Sequence, residues 1–256
     1  MPISAVVQFS AAATRLQATR SIAGRPVRNS ILLQLPEAEF SRIKPQLEAV
    51  KLRIADLLER QSLPVKGVYF LNTGIASLLI ETSNGRSVEV GLSGREHAIG
   101  LVPLLGGLER LTYNVVVQVP GEGFRAPAMM MKRLLPGLPQ LRELLLRRMA
   151  IRSLEQGQNA ACNCLHSVKE RLARWLLLVH DRVDTDVIST THDFLSKMVG
   201  ADRTTVSLAM RELERRGVLL RNRGAICITD RAGLEEQSCE CYAVFNSFNA
   251  ELGLGK

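Results

Sequence analysis

Residues 200–217, GADRTTVSLAMRELERRG, hold the side chains best suited to a chemical task, and the task is recognition rather than catalysis. With a helix starting at Arg203, the residues Val206, Ala209, Met210 and Leu213 recur at helical steps and make one apolar stripe. Arg203, Thr204, Ser207, Leu208 and Arg211 fall on the opposite face. A merely solvated face would be filled with Glu and Lys, yet no acid appears before Glu212. Small hydroxyl groups let a helix sink into a DNA major groove about 12 Å wide. An arginine can grip guanine at two points there, and a leucine or a threonine methyl can pack on a thymine methyl. Arg203, Thr204, Ser207 and Leu208 are therefore the candidate base readers, on a recognition helix spanning 203–216.

The flanking residues supply what such a helix needs. Thr191 suits the N-cap of a preceding helix, HDFLSKMV, which Gly200 ends. Val199-Gly200-Ala201-Asp202 is a short glycine-bearing turn of the kind that joins the two helices of a helix-turn-helix, and Asp202 suits the second N-cap. In GVLLRNRGAICITD two short apolar runs, Val218–Leu220 and Ala225–Ile228, flank the basic turn Asn222-Arg223-Gly224. Thr191, Lys197, Arg221 and Arg223 are candidate phosphate contacts on this hinge and wing.

Other reactive residues make weaker patterns. Cys162-Asn163-Cys164-Leu165-His166 offers at most three soft metal ligands, from the end of one helix and a hinge. These thiols read as small buried or capping groups, as do Cys239 and Cys241, while Cys227 alternates inward along a wing strand. No metal is expected. The four histidines, 97, 166, 180 and 192, match no nucleophile elbow, HExxH or phosphate loop. Gly106-Gly107 and Gly121-Glu122-Gly123 lack a following Lys-Ser/Thr, so the chain does not read as an enzyme.

The elements that position these residues follow from periodicity. Segment 31–60 is helical in period, cut by Pro36 and Pro45. From residue 64, β-branched runs broken by Asn72-Thr73-Gly74 and Asn84-Gly85 predict short strands, the second break being a two-residue hairpin turn with positive φ at both positions. Residues 111–128 read as strand, turn and strand, which completes a small antiparallel sandwich or roll. From Met129 to about Ala161 the pattern is helical, with Leu134, Leu138, Leu141 and Leu145 spaced as a heptad-like seam. That seam suits a dimer interface or the core of a single protomer. Arg148 and Arg152 fall where it should continue, so its second half is polar. VKERLARWLLLV, 168–179, is a further amphipathic helix.

A chain of 256 residues suggests two domains. Thirty-three Lys and Arg against 25 Asp and Glu give a net charge of +8, which fits a polyanion partner. No apolar run approaches a membrane span. Five cysteines do not form a disulfide framework, so a reducing cytoplasm is expected. Residues 1–28 carry Arg15, Arg20, Arg25 and Arg28 and no acid, which reads as a mobile basic extension.

Along residues 191–234, THDFLSKMVGADRTTVSLAMRELERRGVLLRNRGAICITDRAGL, the chain resembles the DNA-binding signature of the Crp/Fnr regulators. Residues 68–101, VYFLNTGIASLLIETSNGRSVEVGLSGREHAIGL, resemble the central hairpin of that family's β-roll, and the likeness covers about 30–245. It implies an α+β chain. An N-terminal β-roll of the cyclic-nucleotide-binding, jelly-roll type would be followed by a long dimerisation helix and a C-terminal winged helix-turn-helix. The expected boundaries are 1–28 for the extension, 29–128 for the sensor, 129–164 for the dimerisation helix and 165–256 for the DNA-binding domain with its tail. By the resemblance Arg203, Thr204 and Leu208 occupy the family's three base-reading positions. Glu is common at the second and Arg at the third, so the departures imply a different operator. Thr205 and Arg211 fall where the phosphate backbone is held.

The sensor departs further from the family. In GREHAIGLVPLLGGLERLTYNVVV, residues 94–117, Glu96, His97 and Arg110 mark the place of an effector pocket, but Leu111 and Thr112 follow the arginine and no Gly-Glu pair precedes it. Without small residues there, a cyclic phosphate finds no nest of backbone N–H groups. Neither cAMP nor cGMP is expected, nor haem on His97, nor an iron–sulfur cluster, since the N-terminus has no cysteine. The expected function is a homodimeric, sequence-specific transcription regulator of double-stranded DNA that binds an inverted repeat, with RNA polymerase as a further partner. The alternative is a ligand-binding receptor whose output is a protein contact.

Overall fold

Alternation of apolar and polar positions between residues 48 and 127 becomes two facing antiparallel sheets in a computed structural model that describes residues 20–251. A two-residue hairpin, β1 (Ser21–Ile22) and β2 (Arg25–Pro26), comes first, followed by the short helices α1 (Ser30–Gln34) and α2 (Glu37–Ile43). The roll contains β3 (Glu48–Leu52), β4 (Leu57–Glu59), β5 (Gly67–Leu71), β6 (Ile75–Glu81), β7 (Ser87–Ser93), β8 (Ala98–Ile99), the helix α3 (Val102–Leu105), β9 (Asn114–Val119) and β10 (Gly121–Pro127). One sheet runs β3-β10-β5-β8 and the other β4-β9-β6-β7, every pair antiparallel. Helix α4 (Ala128–Leu134) leads into α5 (Pro139–Leu165), with proline at the first turn, where a missing N–H costs nothing. Helix α6 (Val168–His180) then begins the third region. It is followed by β11 (Val187–Ser189), α7 (His192–Val199), α8 (Arg203–Arg215), β12 (Leu219–Asn222), β13 (Ala225–Ile228), α9 (Arg231–Glu236) and α10 (Cys241–Glu251).

Three local expectations need correction. The helical period stops at residue 46: Glu48–Leu52 is a strand, because it pairs along its whole length with β10. The β6–β7 turn is longer than two residues. Gly85 has φ +78°, but Asn84 stays in the ordinary region and uses its side chain, accepting from the Thr82 hydroxyl at 2.6 Å and the Arg86 N–H at 3.3 Å. Residues 20–28 of the expected mobile extension are also ordered. Residues 1–19, Arg15 among them, lie outside the described residues, but Arg20 is fixed: its guanidinium donates to the Leu32, Leu33 and Leu35 carbonyls at 2.7, 3.1 and 2.6 Å and lies over the Phe40 ring. It thereby satisfies acceptors left open at the end of α1.

The long helix α5 turns one face inward along its whole length: Leu141, Leu145, Arg148, Ile151, Glu155, Asn159 and Cys162 are buried. Leu138, Leu141 and Leu145 are fully enclosed with α1, α2 and the first sheet, and Leu134 is half-buried against the same cluster. Four leucines assigned to a dimer seam thus pack within the protomer, because the stripe they form is the one that closes the roll. Its polar continuation finds partners there too, although Arg148 Nη1 and Glu155 Oε1 are buried without one among the described residues. Arg148 donates to Ser30, Arg152 to the Leu92 carbonyl and to Ser93 Oγ at 2.7 Å, and Asn159 to the Glu89 carbonyl at 2.9 Å.

This polar stripe meets α6 and the roll in a buried ionic network. Glu96 pairs with Arg182 at 2.7 Å, and His97 Nε2 lies 3.4 Å from Glu155, which Arg152 also faces. Burial and the Arg152 charge together hold His97 below the usual histidine range. Glu89 accepts from the Trp175 indole at 3.2 Å while its second oxygen is buried without a partner. Burial raises its carboxyl to about 7, against the pull of Ser77, Trp175, Arg174 and Arg182. Folding therefore favours the protonated form. The contribution is full below about pH 4.5 and is lost as pH rises through about 7. Over that interval Glu89→Gln should remove about 3 kcal/mol of pH dependence from unfolding. Urea midpoints measured at several pH values check this, and an unchanged slope would place the titration elsewhere.

Candidate nucleic-acid interface

The helix-turn-helix is built from caps and one glycine. Thr191 accepts from the Phe194 N–H at 3.2 Å to start α7. Gly200 ends it at φ +60°, a left-handed position that favours glycine, and Val88 of β7 stands 3.1 Å from where a Cβ would be. Asp202 caps α8 by accepting from the Thr205 N–H at 2.9 Å and its hydroxyl at 2.6 Å. Val206, Ala209, Met210 and Leu213 then bury in one core with α6, α7 and the wing strands. Lys169 of α6 reaches Glu212 at 3.2 Å and ties the far end of α8 down.

The opposite face is open. Arg203, Thr204 and Arg211 are exposed, and Leu208 keeps 57% of its surface in solvent, unusual for a leucine beside a full core. Arg203 has a loose pair with Asp193 at 3.9 Å, and Lys197 another at 3.6 Å; such exposed pairs are weak and yield readily to a phosphate. Ser207 is half-buried and engaged. Its hydroxyl donates to the Arg203 carbonyl at 2.8 Å, so the 2.9 Å contact with His192 Nδ1 requires the proton to sit on the histidine. Thr205 is likewise occupied by its cap.

The wing is the hairpin of β12 and β13, with β11 pairing on its far side. Arg223 is exposed at its tip beside Gly224, φ +76°. Arg221 is held differently: Glu214 receives its guanidinium Nε at 2.8 Å and its backbone N–H at 3.1 Å. Arg203, Thr204, Leu208, Arg211, Lys197, Thr191 and Arg223 are thus all exposed, while Ser207, Thr205 and Arg221 already have intramolecular partners. His192 and Glu214, which fix two of these, were not singled out in the sequence. The signal was a histidine fifteen residues before Ser207 and a glutamate seven before Arg221, contacts that only folding creates.

In the roll, Glu96 and His97 come together in the ionic network, whereas Arg110 is exposed beside an isolated bridge to Pro64. The cysteines regroup as well. Cys162, His166, Cys239 and Cys241 converge with their ligand atoms within 4.8 Å of one another, and Cys164 turns out to solvent. The Cys162–His166 stretch thus contributes two of its three soft ligands, and two more arrive from the far end of the chain. Among the described residues no helix is long and apolar enough to cross a membrane.

Residues 170–237 match the Crp-like helix-turn-helix domain. Solved structures with the same fold include a Crp/Fnr-family protein from Eubacterium rectale, with 17% identity, TM-score 0.66, and 81% of this chain and 97% of that one covered. FixK2 from Bradyrhizobium japonicum has 16% identity, TM-score 0.65 and coverage of 75% and 98%. A Crp/Fnr-family transcriptional regulator from Thermus thermophilus has 22% identity, TM-score 0.61 and coverage of 75% and 98%. No curated protein matches the chain by sequence. The cap geometry makes a direct prediction: Asp202→Ala should lower the denaturation midpoint, and Asp202→Asn should restore most of it. A denaturation midpoint equal to wild type would mean that Asp202 does not hold the start of α8.

Proposed function

From a chain that carries a Crp-like helix-turn-helix domain on the fold of Crp/Fnr-family regulators, we propose a homodimeric, non-catalytic transcription regulator that reads an inverted-repeat DNA operator. One observation carries this reading: a helix backed by a closed aliphatic core presents arginine, threonine and a bare leucine to solvent. Arg203 reads guanine, Leu208 and the Thr204 methyl read thymine methyls, and Ser207 sets the first turn through His192. Thr191, Lys197, Arg211 and Arg223 hold phosphates. Thr205 and Arg221 support them by fixing the cap and the wing. RNA polymerase is the further protein partner of such a regulator, and free thiols suit a cytoplasmic setting.

The dimer seam in this reading is the outward face of α5. Leu146 and Leu154 are exposed there, with the small exposed residues Ala150, Gly157 and Ala161 spaced between and beyond them. These positions recur at three- and four-residue steps, opposite the stripe that closes the roll, and small residues allow close approach of a second α5. Two recognition helices on such a dimer would sit about 34 Å apart, one turn of DNA.

Binding-site selection with the full chain is the test. The wild type should return an inverted repeat, and Arg203→Ala should relax one symmetric position at about 1–3 kcal/mol per contact. An unchanged motif would remove Arg203 from base reading, and failure to select any motif would favour a receptor with a protein output. Arg223→Ala should weaken all sequences alike and reduce the salt slope by about one. The paired change Leu146→Glu with Leu154→Glu should shift sedimentation to the monomer, and a persistent dimer would place the seam elsewhere.

A further inference from the structure

Cys162 lies in the last turn of α5 and His166 caps that helix at i+4, while Cys239 precedes α10 and Cys241 opens it. The first two come from the end of the long helix and the second two from the far side of the winged domain. We propose that these four residues form a closed Cys3His site for one zinc ion, which clamps α10 and the DNA-binding domain to the end of α5.

The distances fit a mononuclear tetrahedral site. Zn–S bonds of about 2.3 Å and Zn–N bonds of about 2.05 Å place two sulfurs about 3.8 Å apart and a sulfur and nitrogen about 3.6 Å apart. Cys162 Sγ and Cys239 Sγ are separated by 3.5 Å, Cys241 Sγ and His166 Nδ1 by 3.6 Å, and all four ligand atoms lie within 4.8 Å of each other. So tight a group has no room for the iron–sulfur core of a cluster, and three thiols exclude the hard cations that prefer oxygen.

The surroundings match such an ion. His166 presents Nδ1 to the sulfurs while Nε2 lies 3.1 Å from the Glu240 carboxylate, the partner that fixes a metal-binding histidine in the required tautomer. Gln158 donates to Cys241 Sγ at 3.0 Å. Three thiolates and a neutral imidazole around a divalent ion leave a net charge of minus one. The positive charge of Arg174 acts on both Cys162 and Cys239, and Arg171 stands in the same field. Both arginines keep a buried Nε without a hydrogen-bond partner among the described residues, which suits a neighbouring site of net negative charge. Cys162, Cys239 and Cys241 are buried, and His166 is mostly covered, so the fourth position is closed to water as in a structural rather than catalytic site.

The site also explains why Cys164, two residues from Cys162 in sequence, takes no part: on a helix it points away from its neighbour, into solvent.

Native mass spectrometry and elemental analysis of the full chain, purified without a metal-affinity tag, should find one zinc per chain. After chelation, cobalt(II) should restore one equivalent with the visible bands of a tetrahedral thiolate site. The paired change Cys239→Ser with Cys241→Ser should lose the metal, and Cys164→Ser should keep it. Glu240→Gln should weaken zinc affinity about 10- to 100-fold. If the serine variant does not fold, His166→Cys supplies the check, keeping one cobalt with stronger thiolate charge-transfer bands. A wild-type chain that takes up neither zinc nor cobalt would overturn the assignment. So would a metal-free chain lighter by two hydrogens with Cys162 bonded to Cys239, or a metal retained after both cysteines are removed. None of these readouts depends on DNA binding.

Discussion

Trp175 stands where the β-roll, the long helix and the winged domain meet, buried in the same core as the inward stripe of α8. Its indole N–H donates to Glu89 of β7, and its ring joins an apolar cluster that contains Ile75, Leu79 and Leu92 of the roll together with the stripe of α8. Helix α6 is buried without interruption from Arg171 to Val179, which an amphipathic helix on one surface would not be. It is covered from both sides, so the roll and the winged domain share a core. Met198 of α7 reaches Ser77 of β6 at 3.6 Å, which extends the same contact to the first helix of the helix-turn-helix. Close-packed cores respond to change by shifting between discrete arrangements rather than by gradual deformation. β6 and β7 thus lie directly against α7 and share one core with α8.

The recognition helix was legible because its meaning lies in one local contrast. A stripe of Val206, Ala209, Met210 and Leu213 opposes a face without acids, and both halves of that contrast sit within thirteen residues. The caps at Thr191 and Asp202 are equally local. The seam on α5 was harder to read: periodicity reports that Leu138, Leu141 and Leu145 are covered, but the covering surface is α1, α2 and a sheet formed far upstream. Arg148 and Arg152 carried the hint, since a paired helix in water would not continue its seam with guanidiniums, whereas the edge of a roll offers Ser30, Ser93 and a carbonyl. The strand Glu48–Leu52 was missed for a similar reason. Its residues have no strong preference of their own, and β10 decides their conformation. The Cys3His group was invisible because its halves are 77 residues apart and each half alone looks incomplete.

The two faces of α5 divide the work of one helix. The inward face closes the roll and carries the ionic network in which Arg152 and His97 both face Glu155; these, with burial opposing them, hold the glutamate at about 2. A charged group at that depth needs opposite charge close by, which Arg152, His97 and Arg182 supply, although one Glu155 oxygen is buried without a hydrogen-bond partner among the described residues. Breaking any of these contacts would leave a buried charge exposed to apolar surroundings, which costs more than the pair contributes when intact. The network therefore acts less as a source of stability than as a constraint on how α5, α6 and the roll can be placed relative to one another.

On the recognition surface the same logic separates side chains that are already committed from those that are free. Ser207 is locked between His192 and a backbone carbonyl, Thr205 by Asp202, and Arg221 by Glu214, so their entropy was lost on folding and none is lost again on contact with DNA. Arg203, Leu208 and Arg223 remain exposed to solvent. Ordering them costs free energy, and only a matching base edge or phosphate returns it. As a proposed base reader Leu208 would have the sharper requirement: its exposed isobutyl group would gain from burial against a methyl group and gain nothing from the polar edge of a cytosine. In the proposed function, a first turn fixed by internal hydrogen bonds with a few exposed, chemically distinct tips would convert a general attraction to phosphate into discrimination between sequences.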